Sequence, residues 1–297
     1  MFDRSLAPSL VAVVFVLLWS TGFIVARFAA PHSPPLVFLA LRLGSAVLLL
    51  AAWATLARAP WPGARQTVHL VIAGLLVQAC YLGGVWVAIA AGMPAGLTAL
   101  IVNLQPVLTA MLAPLWLQER QSARAWVGLA LGFGGVALVI AHRIQFDGLG
   151  LAGILLCVLA LSGITFGTLW QKRFVGGFDL RTGTCIQYLA SWMVLTPLAI
   201  ALEGHWPAWQ PAFWWALLWS VFGLSIGATF LMFLLMRRGT ATRLASLFYL
   251  VPPVTAIMAW ALFREPFGWL AALGMVVTGA GVWLVQSAPS VGVPAKR

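Results

Sequence analysis

Ten apolar runs, each about as long as a bilayer is thick, follow one another along the chain. They cover residues 8–28, 35–57, 68–91, 95–117, 123–142, 149–171, 182–202, 211–236, 241–263 and 267–286. A helix that crosses about 30 Å of hydrocarbon needs about 20 mostly apolar residues. Lipid offers the backbone no hydrogen-bond partner, so each run must satisfy its own N–H and C=O groups as a helix. Composition agrees. Hydrophobic residues make up 62% of the 297 and charged residues 8%, with a mean hydropathy of +1.00, whereas a soluble domain carries about 25% charged residues. The expected fold is an all-α polytopic membrane protein of ten transmembrane helices. The short connections, punctuated by Pro and Gly, leave no room between them for a soluble domain. The first run could also be read as a signal segment, with Arg4 before it and Ala26 to Ala30 after it. Its length and its place in the repeat described next favour a retained helix.

The chain repeats itself. Pro106, Thr109, Ala110, Ala113 and Glu119 recur as Pro252, Thr255, Ala256, Ala259 and Glu265, at a constant shift (252 − 106 = 146). The same shift carries Gly128 to Gly274, Gly135 to Gly281 and Val139 to Val285. Five runs fall in each half, and an odd number of crossings reverses direction, so the second copy is expected to be inverted. The expected units are residues 1–146 and 147–287, each a five-helix repeat, and a basic, disordered tail over 288–297. Inverted repeats place a binding site near the bilayer midplane, between two halves that can pack in two related ways.

The basic residues orient the bundle. Arg4, Arg58, Arg65, Arg120, Arg124, Lys172, Arg173, Arg181, Arg237, Arg238, Arg243, Lys296 and Arg297 all fall on one side of a ten-helix arrangement. The other side has Arg143 and Arg264, with Arg27 at a helix end. Cytoplasmic loops carry the excess of Lys and Arg, which puts both termini in the cytoplasm. The net charge of +11 and pI near 11.3 therefore point to anionic lipid headgroups as partners and not to nucleic acid. Assembly is expected as a monomer or a homodimer.

Much chemistry is excluded by what the spans lack. Asp3, Glu119, Asp147, Asp179, Glu203 and Glu265 all lie in or beside connections, so no mid-span carboxylate offers a proton or sodium relay. His32, His69, His142 and His205 lie near helix ends and assemble neither a metal site nor a catalytic triad. Cys80, Cys157 and Cys185 have no metal or redox spacing. No cofactor, metal or enzymatic activity is expected.

Arg42 is the exception among the spans. It lies about 10 Å inside the second one, at about 1.5 Å per residue. An arginine there must face protein or water. It can serve as counter-ion to a substrate carboxylate, or snorkel to the interface. Trp19, Ser20, Gln78, Tyr81, Asn103, Ser162, Thr165, Thr229 and Tyr249 also lie mid-span. Such groups satisfy themselves either by lining a wet cavity or by bonding between helices. As a set they are expected to wall a substrate cavity, with Trp19 able to stack on a side chain. Pro106 and Pro252 remove a backbone donor at matched points and are expected to act as paired hinges, with Gly83 and Gly84 adding flexibility. Gly128, Gly132, Gly135, Gly274 and Gly281 put small faces on the fifth and tenth helices, which are expected to form a scaffold.

The segments Leu18-Trp19-Ser20-Thr21-Gly22-Phe23 and Ala40-Leu41-Arg42-Leu43 resemble the EamA family of the drug/metabolite transporter superfamily. So do the two repeated blocks, Asn103 to Arg120 and Leu250 to Pro266. The resemblance spans the whole chain, and the order of the motifs and their duplication make it specific. It implies a ten-helix inverted-repeat carrier in a bacterial inner membrane, working by alternating access. It also implies a central cavity lined by helices 1, 3, 4, 6, 8 and 9. Several members export amino acids, and the chain is most similar to that branch. The implied cargo is a small, mostly hydrophobic or aromatic amino acid, with another neutral metabolite or a purine as the alternative. Related four-helix multidrug pumps carry a glutamate in their first helix. Here Leu6 to Phe28 contain none, so proton antiport by that route has no residue to use.

Overall fold

The computed structural model describes residues 8–29, 31–91, 93, 95–140, 150–263 and 268–288. Arg4, His142, Arg143, Asp147, Arg264, Glu265 and the tail from 289 onwards lie outside the described residues, and so do the expectations that fell on them. Among the described residues every regular element is helical. They are labelled α1 (Pro8–Ala29), α2 (Pro35–Leu56), α3 (Ala64–Ala90), α4 (95–116), α5 (Ala123–Ile140), α6 (Leu151–Phe174), α7 (Leu180–Leu202), α8 (Pro211–Arg238), α9 (241–263) and α10 (Trp269–Ser287). Eight are long and apolar enough to cross a membrane. α1 and α5 contribute shorter apolar stretches, Leu10–Ala26 and Ala123–Val139.

Polar residues fasten the helix ends. The first N–H groups of α2 have no partner within their own helix. The Glu203 carboxylate, at the end of α7, accepts from the N–H of Leu36 (2.9 Å) and of Val37 (2.8 Å). It meets both the missing acceptors and the positive end of the α2 dipole. Asp179 caps α7 through the Arg181 N–H (2.9 Å). The Arg181 side chain, hydrogen-bonded to it, holds the Asp179 carboxyl below the usual carboxylate range. α6 runs one turn beyond the apolar run. There Lys172 donates to the Gly239 carbonyl and Arg173 to the Trp116 carbonyl.

α5 and α10 pack along most of their length, and glycine allows it. A Cβ on Gly281 would sit 2.4 Å from the Gly132 nitrogen, and one on Gly135 would sit 2.4 Å from Thr278 Oγ1. The two backbones are in contact, as the small faces of these helices led one to expect. α3 is wedged equally tightly between α6 and α7. A Cβ on Gly74 would meet the Gln187 carbonyl at 2.4 Å, and one on Gly163 would meet the Leu76 carbonyl at 2.6 Å. Large aromatic side chains fill what remains. Phe15, Phe233 and Tyr249 anchor one apolar cluster, and Phe38, Tyr188 and Phe213 a second.

Four helices depart from α-helical winding, in matched pairs. α3 is π-wound over Leu75–Gly83 and α8 over Ser220–Ala228 (220 − 75 = 145). α4 is broken into Ala95–Val102 and Gln105–Trp116. α9 is divided by a 3-10 turn, Phe248–Leu250, into Ala241–Leu247 and Val251–Phe263. The restarts, at Gln105 and Val251, are again 146 apart (251 − 105 = 146).

The α5–α10 contact yields a direct test. Gly281→Leu forces two backbones apart and should cost about 1–3 kcal/mol, read as a lower thermal midpoint in detergent. Gly134→Ala, where an added Cβ meets nothing within 4 Å, should change stability by less than about 0.5 kcal/mol. Equal midpoints for the two variants would show that α5 and α10 separate without cost.

Candidate functional site

The breaks in α4 and α9 follow from proline chemistry. Pro106 and Pro252 each occupy the second position of a restarted helix. A missing N–H costs nothing there, because the first helical N–H groups have no partner in any case. The carbonyl of Val102, four residues before Pro106, is thereby denied its helical donor. Asn103 folds back at the same point and donates from Nδ2 to the Ala99 carbonyl (2.7 Å). The π winding of α3 and α8 fits one more residue into each turn, which re-aims the side chains inside it. Gln78 and Tyr81 lie on that stretch of α3, and Ser225 on that of α8.

Of the irregular helices, α3, α4 and α9 line a cleft within the bundle, together with α1 and α6; the π stretch of α8, which the resemblance had placed in the lining, contributes none of the cleft's lining residues. The cleft holds about 520 Å³ of empty space with its mouth included, but only about 40 Å³ is open to the centre of a water molecule. Trp19, Tyr81, Asn103 and Gln105 lie at its deep end. Phe23, Ile89 and Thr98 line it toward the face where α1 and α3 end and α4 begins. Trp19 is ten residues from the end of α1, about 15 Å at about 1.5 Å per residue, which is half the thickness of a bilayer core. Phe15 and Phe248 hold its ring, with centroids at 5.3 and 5.2 Å. The cleft thus presents a fixed aromatic wall with a few amide and hydroxyl groups.

Beside the cleft lies a second polar cluster. Arg42 is only 9% exposed, so it does not snorkel. Its Nε donates to Ser225 Oγ (2.9 Å). The Tyr188 hydroxyl donates to the Ser225 carbonyl (2.6 Å) and lies 2.8 Å from Thr229 Oγ1. Tyr81 and Tyr188 are within electrostatic reach of the guanidinium, and Tyr81 also lines the cleft. The acids among the described residues, Glu119, Asp179 and Glu203, lie at helix ends, so among these residues no carboxylate neutralises Arg42.

Of the side chains expected to form a cavity, three line the cleft, namely Trp19, Tyr81 and Asn103. Arg42 and Thr229 belong to the adjoining cluster. Ser20 is fully buried and ties α1 to α9, donating from Oγ to the carbonyls of Val16 (2.7 Å) and Val251 (3.4 Å). Tyr249 packs its ring against Gly132 in the core. Gln78 is buried within α3, while Ser162 and Thr165 lie on α6, half-buried and buried. Gly83 and Gly84 mark the junction where α3 returns from π to α winding. Apart from Gln105, which is as polar and as deep in its span as Asn103, the cleft residues absent from the expected set are apolar or small, such as Val85, Ile89, Thr98 and Ile164. Nothing in their spacing separates a cleft wall from a lipid-facing or core position.

The model of the EamA-like transporter family matches residues 7–141 and again residues 151–287. Among curated proteins, the uncharacterised transporter YvbV of Bacillus subtilis is 28% identical over 97% of this chain and 96% of its own length. A protein of Salmonella typhimurium named "probable amino-acid metabolite efflux pump" is 26% identical over 92% of each chain. A solved crystal structure shares the fold, with a TM-score of 0.75, 20% identity, and coverage of 93% of this chain and 95% of that one.

A buried cation without a carboxylate is a cost to the fold. Arg42→Met should leave the thermal midpoint unchanged or raise it. Ser225→Ala, which strands Nε, should destabilise by about 1–3 kcal/mol. A fall of the midpoint in Arg42→Met as large as in Ser225→Ala would mark Arg42 as a structural residue.

Proposed function

The chain belongs to the EamA-like transporter family, and on that premise we propose that it exports small, mostly hydrophobic or aromatic amino acids across a bacterial inner membrane by alternating access. It is a multi-pass membrane protein of that transporter family. The observation that carries the substrate reading is the mid-bundle cleft walled by Trp19, Tyr81 and Asn103, with the unneutralised Arg42 beside it. An apolar side chain fits the aromatic wall, and a carboxylate supplies the charge Arg42 lacks. Asn103, Gln105 and the Val102 carbonyl, which Pro106 cannot serve, supply acceptors for an ammonium group. Phosphorylated cargo needs several fixed cations, and Arg42 is the deep one among the described residues. The name of the Salmonella relative points the same way. On this reading the protein is a carrier and not an enzyme, and among the described residues no carboxylate or histidine lines the cleft to couple transport to an ion.

Ten crossings, with the second five inverted, are supported by the paired irregularities of α3 with α8 and α4 with α9, each 145 or 146 residues apart. Cytoplasmic termini are supported by the alternation of basic loops. The matched breaks before Pro106 and Pro252 make these the natural hinges, because a segment already broken bends without losing further hydrogen bonds.

Three measurements test this. Purified protein in liposomes, offered a mixture of amino acids, purines and uncharged metabolites, should show saturable counterflow of the aromatic and branched amino acids by mass spectrometry. Counterflow of a purine or uncharged metabolite alone would sink the amino-acid reading. Trp19→Ala should raise KM roughly threefold to tenfold, the value of a lost ring contact, and Arg42→Met should cost more than about tenfold through its charged hydrogen bond. A cysteine at Pro62 should react with an impermeant maleimide from the cytoplasm alone, and reaction from outside would invert the topology.

A further inference from the structure

Beyond Gln105, on the side away from the cleft mouth, the bundle interior stays polar. Gln105 Nε2 donates to Thr168 Oγ1 (3.4 Å), linking α4 to α6. From there both helices run toward the same end of the molecule. Thr109 follows one turn along α4. On α6, Thr165, Thr168, Gln171 and Lys172 share one face, within an arc of about 120° at about 100° per residue. Thr109, Thr165, Thr168 and Gln171 are all at least 97% buried. Among the described residues, Thr109 Oγ1, Thr165 Oγ1 and both polar atoms of the Gln171 amide have no hydrogen-bond partner. Each such atom carries a desolvation cost that an apolar side chain of similar size would not. A permanently closed core gains nothing from them, whereas a wall that is wet in another state needs them.

The far end of this polar face is shut. Glu119, just past α4, pairs with Lys172 on α6 at 3.0 Å, and its other oxygen accepts the N–H of Ala241 at the start of α9 (3.0 Å). Lys172 also donates to the Gly239 carbonyl. Ala113, Leu169 and Ala241 close ranks immediately above, with Leu112, Trp116 and Leu117 around them. One carboxylate therefore joins three helix ends, and it meets the dipole of α9 at its positive end.

We propose that the buried polar face of α4 and α6 is the closed half of the translocation path, and that Glu119, holding Lys172 and the N-terminus of α9, is the latch of its gate. The structure is the state whose cleft leads to the opposite face. Opening needs the Glu119–Lys172 pair to part and the start of α9 to swing from α6, after which water reaches Thr109 and Gln171. This rests on the carrier reading above, but its test needs no substrate.

Starting from protein with Cys80, Cys157 and Cys185 replaced by alanine, Thr109→Cys, Gln171→Cys and, at the exposed mouth of the cleft, Ile89→Cys are reconstituted singly. Each is treated with an impermeant maleimide from one face at a time. With the latch intact, Thr109→Cys and Gln171→Cys should label slowly. Adding Glu119→Gln or Lys172→Met should raise their labelling from the Glu119 face roughly tenfold or more, as loss of a charged hydrogen bond shifts a two-state balance. The same changes should slow labelling of Ile89→Cys, and Lys172→Arg should keep the slow pattern at Thr109→Cys and Gln171→Cys. Unchanged labelling at Thr109→Cys, or a rise equal from both faces, would overturn the proposal. So would a rise in Lys172→Arg as large as in Lys172→Met. Failure of the counterflow screen alone leaves the latch standing, and failure of the labelling with normal counterflow leaves the substrate reading standing.

Discussion

A bilayer gives a backbone N–H or C=O nothing to bond with, so any departure from helical winding must be sheltered by protein. That constraint organises this molecule. Its departures are few and matched, at Leu75–Gly83 and Ser220–Ala228 and at the breaks before Gln105 and Val251. α5 and α10, pressed backbone to backbone through glycine, keep regular winding. The irregular α3, α4 and α9 enclose the cleft with α1 and α6, and Trp19 sits where the broken α9 turns. The cleft thus lies where regularity has been given up under cover of neighbouring helices.

Charge is placed by the same rule. The described carboxylates do their work at helix ends, where dipoles and unpaired N–H groups await them. Glu203 caps α2, Asp179 caps α7, and Glu119 reaches across to α9. Among the described residues Arg42 is the one held deep, by the Ser225 hydroxyl with two tyrosines in electrostatic reach, in place of a carboxylate. An unneutralised cation inside a bundle weakens it, and Arg42 sits beside the aromatic cleft.

Much of the architecture was legible in the chain. Hydropathy located every helix to within about a turn, because the bilayer imposes both length and composition. The 146-residue shift anticipated the paired breaks, since proline acts through local covalent geometry. The small faces of α5 and α10 anticipated their contact. The site was legible only in part. Trp19, Tyr81 and Asn103 line the cleft, but Ser20 and Tyr249, equally polar and equally mid-span, serve packing. A span that is apolar on every side has no amphipathic period to tell a lumen face from a helix interface.

What the sequence determined by itself was the class of fold, the number of apolar runs and the twofold duplication, each a property of local composition or of residue identity at fixed spacing. Only the tertiary structure decided which faces meet. It set Tyr81 between Trp19 and Arg42, and it paired Glu119 with Lys172 and Ala241 when its sequence neighbour was Arg120. It also wound α3 and α8 as π-helices. These outcomes depend on the rotation of each rod against its neighbours, which close packing sets, and hydropathy, uniform around the rods, does not encode it.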